Sequence, residues 1–181
     1  MAYSKLPEWP IIDPEAPPVN YVKVGEHIDR DRMDMKWQFF VVDQHLIIVS
    51  KGWSKLNDDD PGKFIAIQYE YPIAGARWLM KTLDRFFLHP DHPDAVPRDA
   101  ITIEEEVAGE VLGVTRGASY GDIVEGIPGY SFDNLNRFYH STVRVSTNQC
   151  QMFEMGDPWL FDYGLLDLFK EIAERHERGE F

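Results

Sequence analysis

The chain is expected to fold as a single α+β domain, an antiparallel sheet of about seven strands with two packed helices, over residues 21–181, preceded by a proline-rich N-terminal arm at residues 1–20. Three observations predict this. Dense β-prone runs alternate with two stripes of apolar residues at helical spacing, in the order three strands, helix, four strands, helix, which suits helices packed on an antiparallel sheet. At 181 residues, with 44% hydrophobic and 13% aromatic content, the chain is long enough for one sizeable core. Its first twenty residues hold Pro7, Pro10, Pro14, Pro17 and Pro18, which remove backbone donors and favour extended structure.

Within the arm, Trp9, Ile11 and Ile12 are apolar enough to dock it, on its own domain or on a neighbouring subunit. The run His27-Ile28-Asp29-Arg30-Asp31 alternates charge and reads as a solvated edge or loop. Trp37-Gln38-Phe39-Phe40-Val41-Val42 and His45-Leu46-Ile47-Ile48-Val49 flank Asp43-Gln44, a hairpin lacking the Asn-Gly or Asp-Gly signal and so expected to turn more loosely than a two-residue type I′ connection. Asn57-Asp58-Asp59-Asp60-Pro61-Gly62 is a loop. A third strand runs from Lys63 to Tyr71, with Ile65, Ile67, Tyr69 and Tyr71 on one face.

Pro72 suits a first helical turn, and Ala76, Leu79, Met80, Leu83, Phe86 and Phe87 share a face to about Leu88. The prolines of His89-Pro90-Asp91-His92-Pro93-Asp94 stop that helix. Residues 100–116 carry both a capping-box pattern and a hairpin pattern, and Gly109 and Gly113 favour the hairpin. Gly117 to Tyr130 reads as the longest connection. A further hairpin is expected from Arg137 to Ser146 and Gln149 to Met155. Asp157 as cap and Pro158 at the first position start a final helix with Phe161, Leu165, Leu168, Phe169 and Ile172 inward.

In element order the chain is similar in outline to whirly and PUR-type single-strand nucleic-acid-binding folds. The resemblance rests on element order and on no motif residues, and implies a sheet on which bases could stack. Trp37, Phe39, Tyr69, Tyr71, Phe138, Tyr139 and Phe153 are the strand aromatics for such a platform, with Lys51, Lys55 and Lys63 beside them.

Charge argues against a broad phosphate-binding groove. The formal net charge is -13, and residues 99–181 carry 16 acidic against 6 basic groups, a field that repels nucleic-acid backbones and suits a basic protein partner. One cysteine, Cys150, permits no internal disulfide and reads as a buried small residue. Neither a leader pattern nor a run of about 20 apolar residues is visible, so a cytoplasmic protein without membrane contact is expected.

The chemistry-bearing clusters are few. His89, Asp91, His92 and Asp94 offer metal-ligand types, although their prolines restrict convergence. Asp58, Asp59 and Asp60 lack the ligand spacing of a calcium loop. His140-Ser141-Thr142 matches half of the paired signature of two-histidine phosphoesterases, and no second half exists. Nucleophile-elbow, phosphate-loop and dinucleotide motifs are missing, and no cofactor is implied.

The reading favoured by the sequence is a non-enzymatic binding or assembly protein. It contacts a protein partner of basic character through its arm and an acidic surface including Glu104, Glu105, Glu106 and Glu110, with a homo-oligomer as one form of assembly. One version is an acidic inhibitor that imitates nucleic acid. The alternatives are a single-strand nucleic-acid binder and an enzyme whose active site, metal-dependent or not, is assembled from distant segments.

Overall fold

The computed structural model describes residues 3–30, 34–54, 62–97, 99–120, 126–142 and 149–181. It is mixed α+β, but the expected single seven-stranded sheet is replaced by two antiparallel sheets. The first joins β1 (Val22–Asp29), β2 (Met35–Val42), β3 (His45–Ser54), β4 (Lys63–Pro72) and the short β8 (His140–Ser141), in that spatial order. The second joins β5 (Thr102–Val107), β6 (Glu110–Tyr120), β7 (Ile127–Phe138) and β9 (Cys150–Gly156). Helix α1 (Ala74–Phe87) follows the first meander. A π-helical turn (Pro158–Asp162) and helix α2 (Leu165–Glu177) follow the second.

Local chemistry explains most elements. Asp43 and Gln44 both take positive φ, 44° and 63°, and Val42 pairs directly with His45, so this hairpin is a tight two-residue turn after all. Ala108 and Gly109 do the same between Val107 and Glu110, giving the hairpin expected in residues 100–116. Of the run from His27 to Asp31, residues through Asp29 belong to β1, the edge strand of the first sheet paired with β2, so the edge alternative holds over the loop; Asp31 lies outside the described residues. Pro72 closes β4 and does not open the helix. The connection expected from Gly117 to Tyr130 is mostly strand, because β6 continues to Tyr120 and β7 begins at Ile127.

The last helix starts later than its sequence signals indicate. Asp157 makes no capping hydrogen bond; its carboxylate meets Arg116 Nη2 at 2.8 Å instead. Gly164, at φ 90°, breaks the π-helical turn from α2, a conformation that suits glycine.

Both sheets turn one face to a shared core. Phe39, Leu46, Ile48 and Tyr71 from the first sheet meet Leu112, Val114, Phe132 and Phe153 from the second, with Leu79 of α1 and Phe169 of α2 between them. The Tyr71 and Phe132 rings stack at 4.0 Å. A second, smaller cluster lies behind the first sheet, where Phe40, Val42, Ile47 and Val49 are covered by Ile12 and Trp9 of the arm. That double covering is why β2 reads as an unbroken apolar run and not as an alternation. No helix among the described residues is long and apolar enough to cross a membrane.

Candidate functional site

The arrangement of interest grows from an edge problem. Strand β4 lies at the border of the first sheet, where β8 pairs only with Ile67 and Gln68. Beyond them, the backbone of Glu70 finds its partners in side chains of the second sheet: its N–H donates to Gln151 Oε1 at 2.6 Å, and its carbonyl accepts from Asn134 Nδ2 at 2.7 Å. Buried backbone groups require such partners, so these amides splice the two sheets together.

Strand β7 bends at this point. Its register against β9 shifts between Asn134 and Phe138, and the bulge carries Arg137 into the junction. The Arg137 side chain, 4% exposed, grips Glu110 with two hydrogen bonds, Nε to Oε2 at 2.9 Å and Nη2 to Oε1 at 2.7 Å. Its Nη1 donates to Glu70 Oε2 at 2.9 Å. Glu70 also meets His140 Nδ1 at 2.9 Å and Gln68 Nε2 at 3.0 Å, while Glu110 meets His45 Nε2 at 3.0 Å and Asn134 Nδ2 at 2.6 Å. Two carboxylates, one guanidinium and two imidazoles thus share one buried network.

The arm closes over it. Arg137 Nη1 donates to the Pro7 carbonyl at 2.7 Å, Trp9 N–H donates to Glu70 Oε2 at 3.2 Å, and Gln68 both donates to the Pro10 carbonyl and accepts from Ile12 N–H. Asn136 donates to the Ser4 carbonyl at 2.7 Å, and its own carbonyl accepts from Leu6 N–H at 2.8 Å. The Trp9 ring lies 5.4 Å from that of His45. Residues 4–12 are therefore held by their main chain, which explains how a proline-rich segment docks without joining a sheet.

Electrostatics follow from this packing. Burial acts to raise the Glu110 carboxyl, but hydrogen bonds from Arg137, His45 and Asn134 override it and hold it at about 2. The Glu110 carboxylate raises the His45 imidazole above its ordinary value, against the opposing effect of burial. The histidine contribution to stability is complete below pH 6.5 and lost as pH rises through its raised folded value. The Glu110 contribution is complete above pH 4.5 and lost as pH falls toward about 2. Hydrogen-exchange protection factors at the amides of Leu6, Trp9 and Ile12 are accordingly expected to be greatest between pH 4.5 and 6.5 and to decline on both sides. A flat profile would refute this coupling of arm and network.

The residues singled out in the sequence are dispersed. Glu110 is not a surface group: it is the buried anchor of Arg137, so it leaves the proposed acidic surface. Glu104, Glu105 and Glu106 are exposed on β5, but strand alternation divides them. Glu105 turns toward α1, where it accepts from Arg85 at 2.7 Å and Trp78 at 2.9 Å. Glu104 and Glu106 share the other side, with Glu104 meeting the Tyr3 hydroxyl.

His89 pairs with Asp91 at 3.5 Å and His92 with Asp94 at 3.9 Å, as two separate exposed pairs. Among the described residues no group of three or more His, Cys, Asp or Glu is placed to hold a metal ion. Asp58, Asp59, Asp60 and Lys55 lie outside the described residues. The aromatic platform is also absent as drawn: Trp37, Phe39, Tyr69, Tyr71 and Phe153 are buried in the shared core. Lys51 is paired with Asp13 at 2.7 Å.

The sequence does not mark Arg137, Glu70, His45 or Asp133 as functional. Their one signal is that they are charged or ionisable residues inside β-dense runs, such as Glu70 between two tyrosines, where a solvated face is the ordinary explanation. No family model matches this chain, and no curated protein or solved structure is significantly similar to it.

Proposed function

We propose that the protein is a non-enzymatic binding or assembly protein whose acidic outer face, on the second sheet beside the docked arm, receives a protein partner of basic character. One observation carries this reading: the acid–base groups of the Arg137 network are buried and engaged with one another and with the arm, whereas Glu104 and Glu106 present their carboxylates outward on β5. The net charge of -13 favours such a partner over a phosphate backbone. The internal position of the strand aromatics removes the principal support for base stacking. A reducing, cytoplasmic setting fits the single unpaired cysteine.

The test compares the tagged wild type with the double reversal Glu104→Lys/Glu106→Lys in lysate of the source cell, across a salt series. The wild type is expected to retain a basic protein in stoichiometric amount, with retention declining as ionic strength rises, and the reversal to lose it. Both positions are exposed, so the variant should fold normally. Equal retention by both proteins would overturn the proposal, and recovery of salt-sensitive oligonucleotide would move the assignment to the single-strand binder.

A further inference from the structure

Behind the exposed glutamates, the outer face of the second sheet contains a more specific arrangement. Strand register places Glu104, Gly113, Asp133 and Met152 in one cross-strand row, and Thr102, Thr115, Ser131 and Glu154 in the next. Glu104, Met152 and Glu154 stand at the rims of this double row, with the smaller Gly113, Asp133, Thr115 and Ser131 in its centre. Gly113 is part of the design: a Cβ there would come within 3.3 Å of Asp133 Cβ.

Asp133 is only 5% exposed, and although its Oδ2 accepts from Thr115 Oγ1 at 3.1 Å, its Oδ1 has no hydrogen-bond partner of ordinary geometry; neither has the buried Ser131 hydroxyl beside it. A desolvated carboxylate with one oxygen unsatisfied is costly, and threonine or asparagine at this position would be less so. Burial, reinforced by Glu104 and Glu154, pushes its carboxyl up to about 6 despite the adjacent hydroxyls. Among the described residues no cation pairs with Asp133, and Lys5, the one basic residue of the arm, lies over the Phe138 ring and donates to the Leu135 carbonyl.

We propose that Asp133, flanked by Glu104 and Glu154 and by the hydroxyls of Thr115 and Ser131, is the receiving point for a guanidinium group, supplied by an arginine side chain of the basic partner. A planar guanidinium can satisfy both a carboxylate and adjacent hydroxyl oxygens through its fixed fork of donors. The assignment rests on the acidic-face reading and adds to it the chemistry of the group that binds.

The experiment titrates the full-length protein with a hexa-arginine peptide at low ionic strength, following affinity and the Asp133 carboxyl by NMR. The Asp133 pKa is expected to fall on binding, because an opposite charge favours the ionised form. Asp133→Asn, a neutral isostere, should weaken binding by roughly tenfold or more, while Glu171→Gln, exposed on α2 and away from this face, should change it by less than about threefold. If wild type and Asp133→Asn bind equally while Glu104→Lys/Glu106→Lys does not bind, the acidic face survives and the Asp133 site is refuted. If the wild type fails to bind the peptide at all, both proposals fall.

Discussion

Replacing Arg137 by methionine is expected to destabilise the protein by about 3–5 kcal/mol, because removing one partner of a buried ion pair leaves the others uncompensated. The side chains of Glu70 and Glu110 are 0% and 6% exposed, so neither can recover its solvation without opening the junction. For a chain of this length the loss corresponds to a fall in Tm on the order of 10 °C. Urea or thermal unfolding would measure it, and a loss below about 1 kcal/mol would show that the network is not held by its charges.

A less disruptive variant separates the parts. Glu110→Gln keeps the side-chain shape but turns one of the two oxygens that accept from Arg137 into a donor, leaves Arg137 paired with Glu70, and should cost less than the arginine replacement. Combined with Arg137→Met, its effect should be markedly less than additive, since both changes act on one network. The arm should report the same event: protection at Trp9 and Ile12 should disappear in Arg137→Met, because Glu70 and Gln68 hold both amides.

Asp133→Asn should do the reverse and stabilise the protein at neutral pH. The folded state raises this carboxyl from 3.8 to about 6. An acid so shifted holds its proton more tightly when folded, so stability declines as pH rises from 3.8 through about 6, and the full cost is present above that range. At about 1.4 kcal/mol per pKa unit, the asparagine variant should gain up to about 3 kcal/mol at pH 7 to 8. Below pH 3.8 the gain should vanish. Unfolding curves at pH 3.5 and 7.5 would decide it; an equal effect at both values would refute titration as the cause. Greater stability with weaker binding of a basic ligand is the pattern expected of a residue retained for function.

The two longest helical stripes, the hairpin around Ala108 and Gly109, and the β-rich blocks were legible because their signals are local. Side-chain periodicity, proline position and turn chemistry act over a few residues. The Asp43-Gln44 turn is tighter than its sequence indicates for an equally local reason, since neither residue is glycine yet both adopt positive φ to match the strand twist. The late start of α2 is different: Arg116 draws Asp157 away from capping, and that partner is 41 residues distant.

Glu104, Glu105, Glu106 and Glu110 look alike as a run of carboxylates, yet one side of β5 sends Glu105 to Arg85 and the turn sends Glu110 to Arg137. By itself the sequence determined an acidic chain with a large core, two amphipathic helices, antiparallel β-meanders and an arm apolar enough to dock, because composition and short-range periodicity are properties of neighbouring residues. Only the tertiary structure decided that the strands divide into two sheets, that an arginine on a bulge joins them beneath the arm, and that Asp133 is buried without a full set of partners. Those outcomes depend on groups far apart along the chain, whose desolvation and pairing energies exist only once the sheets have met.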